Sequence, residues 1–90
     1  MGKRVIIVDD DIEFCNALSR ALTKREYSVI SAHSVAELEN INGVEGIDYG
    51  IVDLRLGEDS GLNAIKLLLE KNPNIKIVML TAYASIATTV

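Results

Sequence analysis

Two hydrophobic rhythms share this chain. Val5, Ile6, Ile7 and Val8 form an unbroken apolar run, rich in β-branched residues, that predicts a strand buried on both faces. Over residues 11–25 the apolar positions are Phe14, Cys15, Leu18, Ala21 and Leu22, the spacing of a helix with one buried stripe. Residues 27–31 predict a short second strand. Ser34 followed by Glu37 is a capping-box pattern and starts a short helix that ends near Asn40. Gly43 and Gly46 break the chain before a third strand over residues 49–54, in which Asp53 closes the apolar run. Residues 57–61 predict a loop. Residues 62–71 predict a helix with Leu62, Ile65, Leu68 and Leu69 turned inward, stopped before Pro73. A fourth strand is predicted over residues 75–80, then a loop opened by Thr81, then a helix from Ser85 onward.

Strands that alternate with helices imply an α/β fold: an open parallel sheet with helices on both faces, joined by right-handed crossovers. Such sheets bind ligands beyond the carboxyl ends of their strands. Here the first strand ends at Asp9 and Asp10, the third at Asp53 and the fourth at Thr81. Three carboxylates and a hydroxyl are therefore expected at one edge. Like charges about 4 Å apart repel by about 4 kcal/mol at an effective dielectric near 20, so a cation in their midst would make the cluster tolerable. An all-oxygen donor set suits Mg²⁺ (or Mn²⁺) and not Zn²⁺. A carboxylate beside such an ion can act as a nucleophile toward a phosphoryl group. A simpler account exists for part of the pattern, because acids at a helix start are favoured by the helix macrodipole alone. It covers Asp10 and Asp11. It does not cover Asp53 or the Thr81-Ala82 pair that comes after the fourth strand.

Composition narrows the class. A chain of 90 residues holds at most one domain, and 49% hydrophobic residues allow it a core. A net charge of −4 and 4% aromatic residues argue against binding a nucleic-acid backbone or stacking bases. No apolar run reaches the roughly 18 residues of a membrane span. The short apolar run behind Met1-Gly2-Lys3-Arg4 is not a signal peptide. The lone Cys15 excludes an internal disulfide, fits a reducing cytoplasm, and lies on the inner stripe as a small core hydrophobe. His33 is expected at the surface, and Glu37 and Glu39 on a solvated helix face. No phosphate-binding Gly-x-x-x-x-Gly-Lys-[Ser/Thr] loop is present.

Three stretches, "VIIVDDD", "YGIVDLRLGEDSGL" and "IKIVMLTAYAS", together resemble the receiver domain of bacterial two-component response regulators. The Leu56-Gly57 step, where most receivers have Leu-Pro or Met-Pro, is similar to that of redox-responsive regulators of the RegA/ActR type. The resemblance implies a flavodoxin-like (CheY-like) fold with strand order 2-1-3-4. It implies that Asp53 accepts a phosphoryl group from a sensor histidine kinase. Asp10 would bind Mg²⁺ directly, Asp9 largely through water, and Arg55 through its backbone carbonyl. Thr81 would act as the switch hydroxyl, with the small Ala82 leaving room for the phosphoryl group. Asp11 is expected to cap the first helix, and Tyr83 to be a loop or surface residue.

The resemblance also implies that residues 1–90 form a C-terminally truncated receiver. The family's fifth strand, fifth helix and Lys-Pro are not in this sequence, and Lys3, Lys66, Lys71 and Lys76 stand in the wrong places to substitute. Phosphotransfer is therefore expected to be impaired. Strand four becomes an edge, and self-association through that edge and the uncovered sheet face is expected. Nucleic-acid contact is expected only from an output domain of the full-length protein. Two other classes compete: a receiver-like interaction module without phosphotransfer, and an aspartate-nucleophile phosphohydrolase fragment. The second is disfavoured by Glu13, where such enzymes place Thr.

Overall fold

The computed structural model describes residues 2–57 and 59–80; Thr81, Ala82, Tyr83 and the helix expected from Ser85 lie outside the described residues. In chain order the elements are β1 (Arg4–Val8), α1 (Ile12–Lys24), β2 (Ser28–Ala32), α2 (Val35–Glu39), a 3₁₀ turn (Val44–Gly46), β3 (Tyr49–Asp53), β4 (Arg55–Leu56), β5 (Asp59–Ser60), α3 (Gly61–Lys71) and β6 (Lys76–Leu80). The main sheet is parallel throughout, in the order β2-β1-β3-β6. Counting only its own strands, this is the expected 2-1-3-4.

The first apolar run becomes the central strand because both of its faces are covered. Ile6 and Val8 pack with Leu38 of α2 and with Ala64 and Leu68 of α3. Val5 and Ile7 point the other way, to Cys15, Leu18 and Leu22 of α1. Ile6, Ile7 and Val8 are fully buried, and each such side chain contributes about 1.5–3 kcal/mol. Asn72, just past α3, is a buried polar residue whose amide donates to the carbonyls of Val44 (3.2 Å) and Ile47 (2.8 Å). These bonds fasten the end of α3 to the turn that feeds β3. Gly43 enters that turn at φ +82°, in the left-handed region where glycine carries no steric cost.

The structure corrects several details of the pattern. On α1 the buried line is Cys15–Leu18–Leu22; Phe14 and Ala21 are exposed, because they lie one helical step to the side of that line. On α3 the buried residues are Gly61, Ala64 and Leu68, with Ile65 and Leu67 partly buried against the same core, while Leu62 and Leu69 are exposed. The helix begins at Gly61, so its buried stripe runs 61-64-68 and turns Leu62 and Leu69 outward. The capping box forms by half. Ser34 Oγ accepts the Glu37 amide at 3.1 Å, but the Glu37 carboxylate accepts from the amide of His33 (3.3 Å) and lies 3.2 Å from His33 Nδ1. Glu37 is thus solvated and also paired. The expected loop over residues 57–61 contains half of a small antiparallel ladder, in which Arg55 faces Ser60 and Leu56 faces Asp59.

Strand β6 is the outer strand of the sheet as described, and on it Val78 and Met79 are about half exposed. Val78 is in register with Ile51, on the face that α1 covers, and Met79 is in register with Val52. Among the described residues no helix is long and apolar enough to cross a membrane.

Candidate functional site

The site stands where β1 and β3 run out of ladder. One residue past Val8, the Asp9 amide still donates to Ala32 O at 3.1 Å, so the backbone of Asp9 is held by the sheet. Its carboxylate is buried, and Oδ1 accepts the Asp11 amide at 2.9 Å. Its carbonyl receives the Cys15 thiol at 3.4 Å. Asp10 is exposed. Asp11 caps α1, accepting the Phe14 amide at 3.0 Å. Its carboxylate is thereby engaged by the helix, the usual role of an acid at a helix start.

Asp53 is the last residue of β3 and is half-buried. Its Oδ1 accepts the Arg55 amide at 3.0 Å, a two-residue side-chain turn that fixes the carboxylate over the strand end. Because β1 and β3 are parallel neighbours, with Val8 in register with Val52, the acids at the ends of both strands meet. One carboxylate oxygen each from Asp9, Asp10 and Asp53 lies within 4.8 Å of the others.

Burial pushes the Asp9 carboxyl above the usual carboxylate range; the Asp11 amide opposes the shift, and the negative charges of Asp53, Asp10 and Asp11 add to it. The Cys15 thiol is likewise pushed up, first by burial and then by the charge on Asp9. A buried acid held among further acids gains from a cation. The donors are all oxygens, which fits a hard divalent ion.

Of the site residues expected from the sequence, Asp9, Asp10 and Asp53 come together. Arg55 is present through its amide, and its side chain is exposed. Thr81 lies outside the described residues. Two features carried no clear sign in the sequence. Gly57 sits at φ +58°, and a Cβ there would stand 3.7 Å from Asp10 Oδ2, so Gly57 lies at the rim of the site. The Gly57-Glu58-Asp59 run could have signalled a turn, but not its approach to Asp10. The thiol bond to Asp9 had no sequence signal beyond the place of Cys15 on the inner stripe.

A parallel sheet in this order, with three acids gathered at the carboxyl ends of adjacent strands, defines a receiver with a cluster typical of a phosphoacceptor site. The chain belongs to the response regulator receiver domain family, which it matches over residues 5–90. It is thus a signalling domain and not a classical enzyme. It is 40% identical over 88 residues to the photosynthetic apparatus regulatory protein RegA of Cereibacter sphaeroides, covering 98% of this chain and 48% of that protein. It is 38% identical over 88 residues to the acid tolerance regulatory protein ActR of Sinorhizobium medicae, covering 98% of this chain and 45% of that one. The chain spans about half the length of these curated relatives. Among solved structures, a response regulator of Burkholderia pseudomallei with a phosphorylated aspartic acid and a calcium ion superposes with a TM-score of 0.84 at 42% identity, over 96% of this chain and 51% of that chain. TrrA of Thermotoga maritima, solved in complex with Mg²⁺ and a beryllium fluoride, gives a TM-score of 0.78 at 26% identity, over 98% of this chain and 76% of that chain.

Proposed function

We propose that this chain is the phosphoacceptor domain of a two-component response regulator and that Asp53 is the acceptor. The observation that carries the reading is the meeting of Asp9, Asp10 and Asp53 within 4.8 Å at one edge of the sheet. Asp53 Oδ2 attacks the phosphorus of a phosphohistidine on a sensor kinase. The O–P bond forms, the N–P bond breaks, and the imidazole leaves with the electron pair. The Asp53–Arg55 turn engages Oδ1, which leaves Oδ2 as the attacking oxygen. Asp10 and Asp53 would hold Mg²⁺ directly, Asp9 through water, and Arg55 through its backbone carbonyl. The ion, when bound, supplies positive charge to the phosphoryl oxygens and relieves repulsion among the acids. Thr81 is the proposed switch hydroxyl.

The same reading includes weak phosphotransfer by this chain alone. Lys3 and Lys76 stand at the opposite end of the strands, Lys24 closes α1, and Lys66 and Lys71 lie along α3. None is placed to bring an ammonium to the acids. Lys71 is also engaged elsewhere, donating to the carbonyls of Glu39 (3.1 Å) and Ile41 (3.2 Å). A cytoplasmic location and a DNA-binding output domain in the full-length protein belong to the reading too. So does self-association through β6, where Val78 and Met79 are about half exposed. A monomer at high concentration in sedimentation equilibrium would remove that last part.

The deciding experiment is incubation with acetyl phosphate and Mg²⁺, followed by intact-mass and peptide mass spectrometry. One phosphoryl group on Asp53, lost in Asp53→Asn, is expected. No label under any condition would leave either an interaction module without phosphotransfer or a receiver too impaired to accept the group.

A further inference from the structure

Asp53 has to stand in one place for its carboxylate to meet those of Asp9 and Asp10. Its strand is anchored on both sides, by β1 and by β6. The strand ends at Asp53 itself and gives way to a two-residue ladder and a turn. The peptide that leaves Asp53 keeps one bond to the sheet, the Leu54 amide donating to Leu80 O of β6 at 3.1 Å, and its other neighbour lies beyond the sheet.

The first residue of α3 lies against that peptide. Gly61 donates its amide to Leu54 O at 2.9 Å. Gly61 is buried, and its Cα faces the bond between Asp53 and Leu54 with no room between them. A Cβ at this position would collide with the Asp53 carbonyl oxygen, and would fall 2.5 Å from Leu54 Cα and 2.9 Å from the Asp53 carbonyl carbon. All three obstacles are backbone, so no rotamer change relieves them. Gly50 on the same strand is a useful contrast: its nearest obstacles are the tips of Ile77, Leu68 and Ile75, at 3.2 to 3.4 Å. Those side chains can move, whereas the Asp53 peptide can move only by carrying its carboxylate with it.

We propose that Gly61 is a positioning residue for Asp53. By bringing the start of α3 onto the Asp53–Leu54 peptide, it sets where the acceptor carboxylate stands relative to Asp9 and Asp10. Ser60 supports the arrangement, because its hydroxyl accepts the Leu62 amide at 3.1 Å and so fixes the first turn of α3. The inference rests on the acidic cluster being an ion and phosphoryl site, and a side chain at 61 acts on it by displacing one of its three carboxylates.

The test compares Mg²⁺ affinity, by calorimetric titration, with thermal stability measured in a chelator. Wild type, Gly61→Ala, Ser60→Ala and Ser34→Ala are used. Ser34 caps α2 much as Ser60 caps α3, but lies on another helix, so it reports lost stability alone. Gly61→Ala is expected to weaken Mg²⁺ binding by about 10- to 100-fold, the usual effect of removing support from a ligand. Ser60→Ala is expected to weaken it by a smaller factor, and Ser34→Ala not at all. Equal Mg²⁺ affinity in wild type, Gly61→Ala and Ser60→Ala overturns the proposal. So does a loss in Ser34→Ala as large as in Ser60→Ala. If Gly61→Ala does not fold, Ser60→Ala against Ser34→Ala decides. Wild-type protein that binds no Mg²⁺ would instead refute the site reading beneath it.

Discussion

Replacing Asp53 by Asn should stabilise this protein when no divalent ion is present. The substitution keeps shape and keeps the Oδ1 that accepts the Arg55 amide, so that bond survives. It removes one negative charge from a group of three whose oxygens lie within 4.8 Å of one another. Two unit charges at that distance repel by about 0.9 kcal/mol in bulk water and about 3.5 kcal/mol at an effective dielectric of 20. Asp10 is exposed and Asp53 half-exposed, so the lower end applies and solvent screens part of it. Summed over the two pairs that Asp53 makes, the expected gain is about 1 kcal/mol, or about 4–8 °C in Tm for a domain of this size. Saturating Mg²⁺ should reverse the order. An ion at 100 times its Kd adds about 2.7 kcal/mol to whatever binds it, and the variant has lost a ligand. The assay is urea denaturation of both proteins at pH 7, once in chelator and once in excess Mg²⁺. If Asp53→Asn is less stable than wild type in chelator, or gains as much from Mg²⁺, the three acids are not electrostatically frustrated and the ion-site argument fails.

Three further outcomes are expected. Asp11→Ala should cost about 1 kcal/mol through loss of the α1 cap, with Mg²⁺ affinity in calorimetry changed far less than by Asp10→Asn; an equal loss would make Asp11 a ligand. The folded state raises the Asp9 carboxyl above its ordinary value of 3.8, so the contribution of Asp9 to stability is fully present below that pH and is lost as pH rises through the raised value. Asp9→Asn in chelator should therefore flatten the stability-versus-pH curve just above pH 3.8, which denaturant titrations across the acid range would show. Leu68→Ala, at a fully buried position between α3 and the sheet, should cost about 2–5 kcal/mol; Leu69→Ala, on the exposed side, should cost much less, and similar losses would contradict the orientation of α3.

The helices show what periodicity resolves and what it leaves open. The stripes on α1 and α3 announced helices, but the covered line on α1 is narrower than the apolar pattern suggests and that on α3 is displaced from it. A Leu at position 62 or 69 is as apolar as Leu68, and only the docking of Gly61 and Ala64 against the sheet decides which of the three is covered. The capping box is similar. Ser34 behaved as its spacing requires, because its partner is three residues away on the same turn. Glu37 turned to His33, because its reach admits several partners and the chain's path into α2 selects among them.

The order of strands and helices, the parallel sheet, the cap at Asp11 and the acids at two strand ends are all determined by the sequence itself, since each depends on neighbours within a turn or on the run of apolar residues. That Asp53 meets Asp9 and Asp10 also comes with the knowledge that β1 and β3 are adjacent. What only the tertiary structure decided is how closely separate segments approach: Gly57 beside Asp10, the Cys15 thiol on the Asp9 carbonyl, and Gly61 against the Asp53 peptide. Those contacts depend on helix docking measured in tenths of an ångström, and no local pattern of residue types carries that information.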